Sequence, residues 1–183
     1  MPSAGPTVQH AERTRSPGFA PAAEPTFVAA VSEAPSAEPA ASPIPNGGFD
    51  DSAEGWRGSN SALTLVRGIT GKAVRVSRAN SRSAFALVAG KPVESPKAGA
   101  RYRARAFVRS VSPGMFVCLR IEEVARDAVP MTTERCRAAR TGWQRLGIVT
   151  HTRATGSRLV FSVRVIAALG GTSFDVDGFH LSR

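Results

Sequence analysis

The residues that could carry out chemistry are few and scattered. The three histidines, His10, His151 and His180, fall in the N-terminal tail, at the end of a predicted strand and on the last predicted strand. The sequence contains no GxSxG, HExxH, P-loop or GxGxxG motif. Glu122 and Glu123 are adjacent, so on a strand they would point to opposite faces and could not flank one glycosidic bond. These residues predict a protein without catalytic activity.

The two cysteines, Cys118 and Cys136, do not form a metal-binding pattern. No CxxC pair and no Cys/His cluster with zinc spacing occurs in the sequence, so a zinc site is not expected. In a domain outside the cytoplasm such a pair predicts one disulfide, worth about 3 kcal/mol by loop entropy. The bridge would pin the loop between the two cysteines at the edge of a sheet. Two unpaired, buried thiols are the alternative.

Arginine supplies most of a formal net charge of +10. Such a surface attracts nucleic acid, anionic membranes and acidic glycans alike, and the charge alone does not choose among them. The codon usage of a GC-rich genome is an alternative explanation for the arginines. No nucleic-acid-binding motif occurs, and the aromatic interleaving of single-strand binders is missing. Nucleic acid is therefore an unlikely partner.

The first 43 residues differ in composition from the rest of the chain. They are rich in Pro, Ala, Ser and Glu and contain few large apolar side chains. Such a segment cannot bury enough apolar surface to offset the entropy of ordering its backbone. We therefore predict a disordered linker over residues 1–43 and one ordered domain over residues 44–183, with Phe49 as its first large aromatic anchor.

The predicted domain consists of short apolar or alternating segments separated by Gly, Ser, Asn and Pro. The predicted strands are Ser61–Val66, Ala73–Ser77, Ser83–Val88, Tyr102–Arg109, Phe116–Glu122, Gln144–His151, Arg158–Val165 and Ser173–Leu181. Only Ile121–Ala128 could form a helix, which Pro130 would end. Regularly spaced short strands without repeated helices predict an all-β sandwich or barrel.

Four landmarks occur in a familiar order along this domain. They are Asn46-Gly47-Gly48-Phe49-Asp50 followed by Gly55-Trp56, then Gly99-Ala100-Arg101-Tyr102, then Gly142-Trp143-Gln144-Arg145-Leu146, and finally Phe174-Asp175-Val176-Asp177-Gly178-Phe179-His180-Leu181. Together they resemble the carbohydrate-binding modules of the family 4/9/22 group, which are galactose-binding-like jelly rolls. The resemblance covers about 140 residues and implies an antiparallel β-sandwich whose first and last strands lie side by side.

This resemblance also implies a structural calcium site. In the resembling modules, a carboxylate after the first-strand Phe and an Asp of the last strand share an ion with backbone carbonyls. Asp50 and Asp177 match these positions, and Asp51 and Asp175 are nearby alternatives. Calcium takes six to eight oxygen ligands, so two carboxylates with backbone carbonyls would suffice. The alternative is that these acids cap turns and strand ends.

The predicted ligand face is rich in arginine and poor in aromatic rings. Sugar-binding faces usually combine aromatic rings with a few polar side chains, but both tryptophans match landmarks that look structural. Arginines on the middle strands would instead bind carboxylate, sulfate or phosphate groups. The predicted ligand-binding residues are Arg103, Arg105, Phe107, Arg109, Arg120, Glu122 and Arg164. A solvated sheet face with interspersed charges is the alternative.

These observations predict a non-catalytic carbohydrate-binding module for an acidic or decorated polysaccharide of a cell surface or wall. A protein-interaction module at the cell envelope is the alternative, because this fold also hosts domains that bind proteins or lipids. We expect a monomer outside the cell or at its surface. The N-terminus shows no clear signal peptide, and no segment reaches transmembrane length.

Overall fold

The computed structural model describes residues 42–80, 84–94, 97–111, 114–126, 128–166 and 173–183. The chain divides into two units, Met1–Ala37 and Glu38–Arg183, and all of the described residues belong to the second. The predicted disordered linker over residues 1–43 lies outside the described residues, apart from its last two. The side chain of Ile44, the first residue of the predicted domain, is buried.

Ten strands form this unit. They are β1 (Trp56–Ser59), β2 (Ser61–Arg67), β3 (Lys72–Arg78), β4 (Phe85–Ala89), β5 (Arg101–Ser110), β6 (Phe116–Val124), β7 (Met131–Ala138), β8 (Gln144–His151), β9 (Arg158–Val165) and β10 (Ser173–Ser182). One sheet has the order β1-β4-β9-β6-β7 and the other β2-β3-β10-β5-β8. Neighbouring strands are antiparallel throughout, so the predicted antiparallel β-sandwich is confirmed.

The alternation of side chains along the strands explains why the two sheets stack. On β5, Tyr102, Ala104, Ala106 and Val108 are buried, and the residues between them are more exposed. Because successive side chains of a strand point to opposite faces, one face of each sheet is apolar. The two apolar faces bury each other, and their side chains form one core cluster.

Two strands, β1 and β7, have no counterpart among the predicted strands. Strand β1 has only four residues, including Arg57 and Gly58. Strand β7 is mostly polar on both sides because it pairs only with β6 and lies at the edge of its sheet. Neither strand shows the apolar alternation on which the sequence predictions rest. The possible helix from Ile121 is wrong, because residues 121–124 continue β6.

The segment before β1 closes the domain against its last strand. Gly47 accepts a hydrogen bond at its carbonyl from the Phe179 N–H at 2.8 Å, and Ser42 Oγ accepts one from the Leu181 N–H at 3.2 Å. A Cβ on Gly47 would overlap the Phe179 carbonyl, so only glycine fits there. The opening stretch thus lies alongside the last strand, as expected. The first predicted strand, Ser61–Val66, corresponds to β2 and is separated from β10 by β3, so a direct pairing of these two strands needs correction.

Candidate functional site

The sandwich has two outer surfaces, which we call face A and face B. Face A is the outer side of the sheet that contains β6 and β9. Its residues include Val88, Cys118, Arg120, Glu122, Thr132, Glu134, Cys136, Val160, Ser162 and Arg164. Face B is the outer side of the sheet that contains β5 and β10. Its residues include Arg75, Arg101, Arg103, Arg105, Phe107, Arg109, Arg145, Val149, His151, Asp175, Asp177, His180 and Ser182.

The structure divides the seven predicted ligand-binding residues between these two faces. Arg103, Arg105, Phe107 and Arg109 lie on face B, and Arg120, Glu122 and Arg164 lie on face A. The expectation of one continuous ligand face therefore needs correction. A strand's period of two residues shows which side chains point away from the core, but not to which sheet the strand belongs.

On face A, arginines and glutamates pair with one another. Arg164 donates from Nε and Nη2 to the two carboxylate oxygens of Glu134, at 2.6 and 3.2 Å. Arg120 donates from Nη2 to Glu122 Oε2 at 2.8 Å. All four side chains are between about a fifth and a third exposed. Face A thus presents two charge-balanced ion pairs on neighbouring strands. The hydrogen-bonding groups of both pairs are partly accessible to solvent.

Arg120 is not fully satisfied by this arrangement. Its Nε is buried and has no acceptor among the described residues. A buried donor without a partner costs about 1–3 kcal/mol. Ser162 is opposite Arg120 on β9. Phe116, four residues earlier on the same strand and on the same side, has a side chain that is 57% exposed.

The predicted disulfide is confirmed, and it lies on face A. Cys118 on β6 is directly opposite Cys136 on β7, and the two residues are bonded. Cys136 lies on the edge strand β7, which was not among the predicted strands. The two sulfurs and a Glu134 oxygen lie within 4.8 Å of one another. The sulfurs are bonded to each other, so this group is not a metal site.

On face B, the buried Asp175 holds two arginines. Arg75 donates from Nε and Nη2 to both Asp175 oxygens at 2.8 and 3.1 Å, and Arg109 Nε donates to Asp175 Oδ2 at 2.8 Å. The hydrogen bond to Asp175 raises the pKa of Arg75 against the opposing effect of its burial. The Arg109 guanidinium also lies 4.6 Å from the ring centroid of Trp143. Arg109 is therefore part of the structure of the face.

The other predicted residues of face B have different surroundings. Phe107 lies over the positive-φ Gly178, where an added Cβ would come within 3.0 Å of the ring. Arg103 and Arg105 are exposed and form no ion pair among the described residues. His180 is directly opposite Arg105. Burial, together with the positive charge of Arg105, lowers the pKa of His180 below its ordinary value.

The two acids of the expected calcium site lie against the same turn. A Cβ on Gly71 would come within 2.6 Å of Asp50 Oδ1. A Cβ on Gly68 would come within 2.7 Å of both Asp177 Oδ2 and the Lys72 carbonyl oxygen. Asp177 also accepts a hydrogen bond at Oδ2 from the Ile69 N–H at 2.8 Å. Carboxylate and carbonyl oxygens therefore lie against this glycine turn, a donor set that suits a hard cation. Asp177 also accepts a hydrogen bond at Oδ1 from the Gly178 N–H at 2.6 Å, so it caps backbone groups as the alternative expects.

The two alternative acids for such an ion fit less well. Asp175 accepts three hydrogen bonds from two arginines, and those positive charges oppose the approach of a cation. Asp51, which is exposed like Asp50, lines a cavity beside Ile44 and Glu54, next to the N-terminal segment, and not the Gly68–Gly71 turn. The pair Asp50 and Asp177 is therefore the better candidate.

Glu123 has a structural role that the sequence did not indicate. It lies on the core side of β6 and is 6% exposed, whereas its neighbour Glu122 points outward. Its carboxylate accepts hydrogen bonds from the Ser157 hydroxyl at 2.8 Å and from the Arg153 and Ala154 N–H groups at 2.9–3.1 Å. Burial alone would raise the pKa of Glu123, but these hydrogen bonds together lower it. Glu123 thus anchors the turn between β8 and β9.

Several residues of the two faces were not identified from the sequence. Glu134 and Ser162 on face A, and Arg101 and Arg145 on face B, are brought beside the predicted residues by strand pairing. For Arg101 a signal was available, because it precedes Arg103 and Arg105 at the same period of two. Glu134 had no comparable signal, because strand β7 was not recognised.

No protein-family model matches the sequence, and no curated protein matches it. Solved structures do match the fold. The second family 16 carbohydrate-binding module has a TM-score of 0.59 and 20% identity, over 76% of this chain and 99% of that one. A family 22 xylan-binding domain has a TM-score of 0.57 and 12% identity, over 74% of this chain and 90% of that one.

Another match belongs to a larger protein that is described as active. It is the enzymatically active domain of tailspike protein 4 from bacteriophage CBA120, with a TM-score of 0.62 and 7% identity. The match covers 77% of this chain but only 21% of that one, so this chain corresponds to about a fifth of the tailspike domain.

The chain therefore has the β-sandwich fold of carbohydrate-binding modules. Further modules, of families 4 and 61, match as well, and the resemblance to the family 4/9/22 group is confirmed at the level of the fold. Most of the matching structures are named as binding modules, although one is part of an active domain. None of the described residues forms a helix that could cross a membrane.

Proposed function

We propose that this protein is a non-catalytic carbohydrate-binding module that holds a polysaccharide chain on face A. The observation that carries the proposal is the pairing of Arg120 with Glu122 and of Arg164 with Glu134, side by side on one sheet face. Planar polar side chains of this kind can donate to and accept from sugar hydroxyl groups. The fold, which is that of known carbohydrate-binding modules, supports the same function.

The rigidity of face A favours recognition without chemistry. The disulfide joins β6 to the edge strand β7, and Glu134 on β7 forms an ion pair with Arg164 on β9. A surface fixed before binding loses little conformational entropy when a ligand arrives. Phe116 at one end of the face offers an exposed aromatic ring, on which the apolar face of a sugar can stack.

The balance of charge on face A favours a decorated ligand over a strongly acidic one. Each of the two central arginines already has a glutamate partner, so an added carboxylate would also meet Glu122 and Glu134. Substituents that supply neutral hydroxyl or carbonyl oxygens avoid this repulsion. The partly exposed guanidinium groups of Arg120 and Arg164 are the donors to which such an oxygen would bind.

We further propose that Asp50, Asp177 and the Lys72 carbonyl hold a structural calcium ion. Their oxygens lie against the glycine turn at Gly68–Gly71. The ion would neutralise two carboxylates and fix the turn between β2 and β3 against β10. It would take no part in sugar recognition on face A, because Asp177 lies on the outer side of β10, in the sheet of face B.

An extracellular or cell-surface location fits both features. Disulfides persist in oxidising compartments, and Cys118 and Cys136 are bonded. The ligand proposed for face A is a polysaccharide of a cell surface or wall, which lies outside the cytoplasm.

The proposal is tested by measuring retention on a panel of immobilised polysaccharides, neutral, substituted and acidic. The variants Arg120→Gln and Arg164→Gln each remove a charged donor, whose hydrogen bonds contribute about 1.5–3 kcal/mol. Their affinity for the retained polysaccharide should therefore fall about tenfold or more. Arg103→Gln on face B is the matched control and should bind a neutral or decorated polysaccharide as the parent does. Unchanged affinity in both face A variants would refute the assignment.

The protein-interaction alternative rests on a separate observation. Phe116 and Ile166 are 57% and 45% exposed, and both lie at one end of face A, where β6 and β9 are neighbours. An exposed apolar pair of this kind suits a protein partner. If no polysaccharide of the panel is retained while an envelope protein binds and Phe116→Ser abolishes that binding, the alternative is correct.

A further inference from the structure

Face B differs from face A in that several of its arginines lack acidic partners. Arg101, Arg103 and Arg105 on β5 and Arg145 on β8 are exposed. None of them forms an ion pair among the described residues. We call Arg101, Arg103 and Arg105 the basic stripe. Unlike the arginines of face A, the stripe presents charge that the protein itself does not neutralise.

The acidic residues of face B do not offset this charge at the surface. Asp175 is fully buried beneath Arg75 and Arg109, and Asp177 is 4% exposed and lies against the Gly68–Gly71 turn. No other carboxylate projects from the outer side of the described strands of this sheet. Burial and the positive charge of Arg105 opposite it lower the pKa of His180.

The basic stripe is regular and rigid. Its three arginines occupy alternate positions of β5, so neighbouring arginines are about 6.8 Å apart and the stripe spans about 14 Å. Strand β5 is an inner strand, paired with β10 on one side and β8 on the other, which fixes this spacing. Arg101 and Arg103 also line a shallow depression together with Ser182 and Arg183. A linear polymer with charges at regular intervals fits such a row.

We propose that face B is a second binding surface, independent of face A, for a linear polysaccharide that carries carboxylate groups. Guanidinium groups bind carboxylates through two parallel hydrogen bonds. The same protein shows this geometry in the pairs Arg75–Asp175 and Arg164–Glu134. The domain would thus bind a decorated glycan on one face and a polyuronate on the other, and would hold the two polymers together.

The surroundings of the stripe favour this polymer over a lipid membrane or a nucleic acid. Within the described strands of face B, Val149 is the one large apolar side chain that is more than a third exposed. The two aromatic rings at this face are engaged within the protein, because Phe107 lies against Gly178 and Trp143 lies against the Arg109 guanidinium. Membrane-surface segments insert apolar side chains, and single-stranded nucleic acid is bound on exposed aromatic rings.

The test uses polygalacturonate and its fully methyl-esterified form, which have the same backbone but differ in charge. The full chain should be retained on the acid and not on the ester. The triple variant Arg101→Ser, Arg103→Ser, Arg105→Ser should bind polygalacturonate at least tenfold more weakly. Its slope of log affinity against log salt should be shallower by about 2, at about 0.7 per lost contact.

A matched control separates the stripe from net charge. The triple variant Arg126→Ser, Arg137→Ser, Arg140→Ser removes the same charge from exposed positions outside face B and should bind polygalacturonate as the parent does. An equal loss of affinity for polygalacturonate in the two triple variants, or no loss in either, would overturn the proposal. So would binding to phosphatidylglycerol vesicles or single-stranded DNA without binding to polygalacturonate. Binding to polygalacturonate that is lost in Arg120→Gln and kept in the stripe variant would place the acidic ligand on face A instead.

The two functions can fail separately. If face A binds no glycan, the stripe variant still measures face B on polygalacturonate. If face B binds nothing, the Arg120→Gln and Arg164→Gln variants still measure face A on the neutral and substituted polysaccharides. The proposal for face B therefore goes beyond the function proposed for face A and does not rest on it.

Discussion

Breaking the Cys118–Cys136 bridge should destabilise the domain and weaken face A together. The two cysteines are 18 residues apart in the sequence. For a loop of that length, the chain-entropy relation gives about 3 kcal/mol at 25 °C. Strand β7 is paired in its sheet only with β6, so apart from the bridge and that ladder it is held by a few side-chain contacts, among them Thr133 with Thr150 and Glu134 with Arg164. Because β7 carries Glu134, fraying of this strand would also release Arg164.

The assay is urea unfolding of the oxidised and the reduced protein, followed by fluorescence and circular dichroism. With a slope of about 2 kcal/mol per molar urea, a loss of 3 kcal/mol corresponds to a shift of the midpoint by about 1.5 M. The double variant Cys118→Ala, Cys136→Ser should behave as the reduced protein does. Alanine is used at Cys118 because this side chain is fully buried, where a serine hydroxyl would add a separate cost.

The same samples should be measured on the polysaccharide that face A retains. Reduction should lower affinity there and leave the binding of polygalacturonate by face B unchanged, because β5 and β8 belong to the other sheet. Equal urea midpoints for the oxidised and reduced forms would show that the bridge does not constrain the chain as argued. A loss of binding on both faces would show that reduction disrupts the whole sandwich and not only its edge.

Three further predictions concern buried carboxylates. The pKa of Glu123 is lowered in the folded protein, so its stabilising contribution is present above its ordinary pKa near 4.5 and is lost as the pH falls below that value. The free energy of unfolding of Glu123→Gln should therefore fall less on acidification than that of the parent. An unchanged dependence on pH would contradict this. Asp175→Asn should cost about 3 kcal/mol in urea unfolding, at the low end for breaking a buried ion pair because both arginines are partly exposed; a cost below about 1 kcal/mol would contradict the buried clamp. Calcium at a hundredfold excess over its dissociation constant should stabilise the domain by about 2.7 kcal/mol, a gain absent in Asp177→Asn; an equal gain in this variant would rule out the site.

The sequence was sufficient for most of the fold. Eight of the ten strands were predicted, and Gln144–His151 and Arg158–Val165 were predicted with the bounds that the structure has. Their core-facing positions carry large apolar residues, so burial determines both their period and their ends. Strands β1 and β7 were missed because an edge strand needs little apolar surface, and the Thr-Thr-Glu-Arg segment of β7 shows no apolar alternation.

The sites were less predictable because they depend on which strands become neighbours. The alternation in β5 and β6 identified Arg105 and Arg120 as outward-facing, but the sheet order places them on opposite sides of the molecule. The same order decides which arginines meet an acid. Arg164 meets Glu134 across β6, whereas Arg103 and Arg105 meet none among the described residues. No local pattern in the sequence contains that information.

The central claim is that face A holds a polysaccharide, and NMR of the arginine side chains tests it most directly. The Nε–H resonances of Arg120 and Arg164 should shift when the oligosaccharide of the retained polysaccharide is added. The Nε–H of Arg103 on the opposite face should stay in place. Shifts at Arg103 alone, or none at Arg120 and Arg164 at saturating ligand, would contradict the claim.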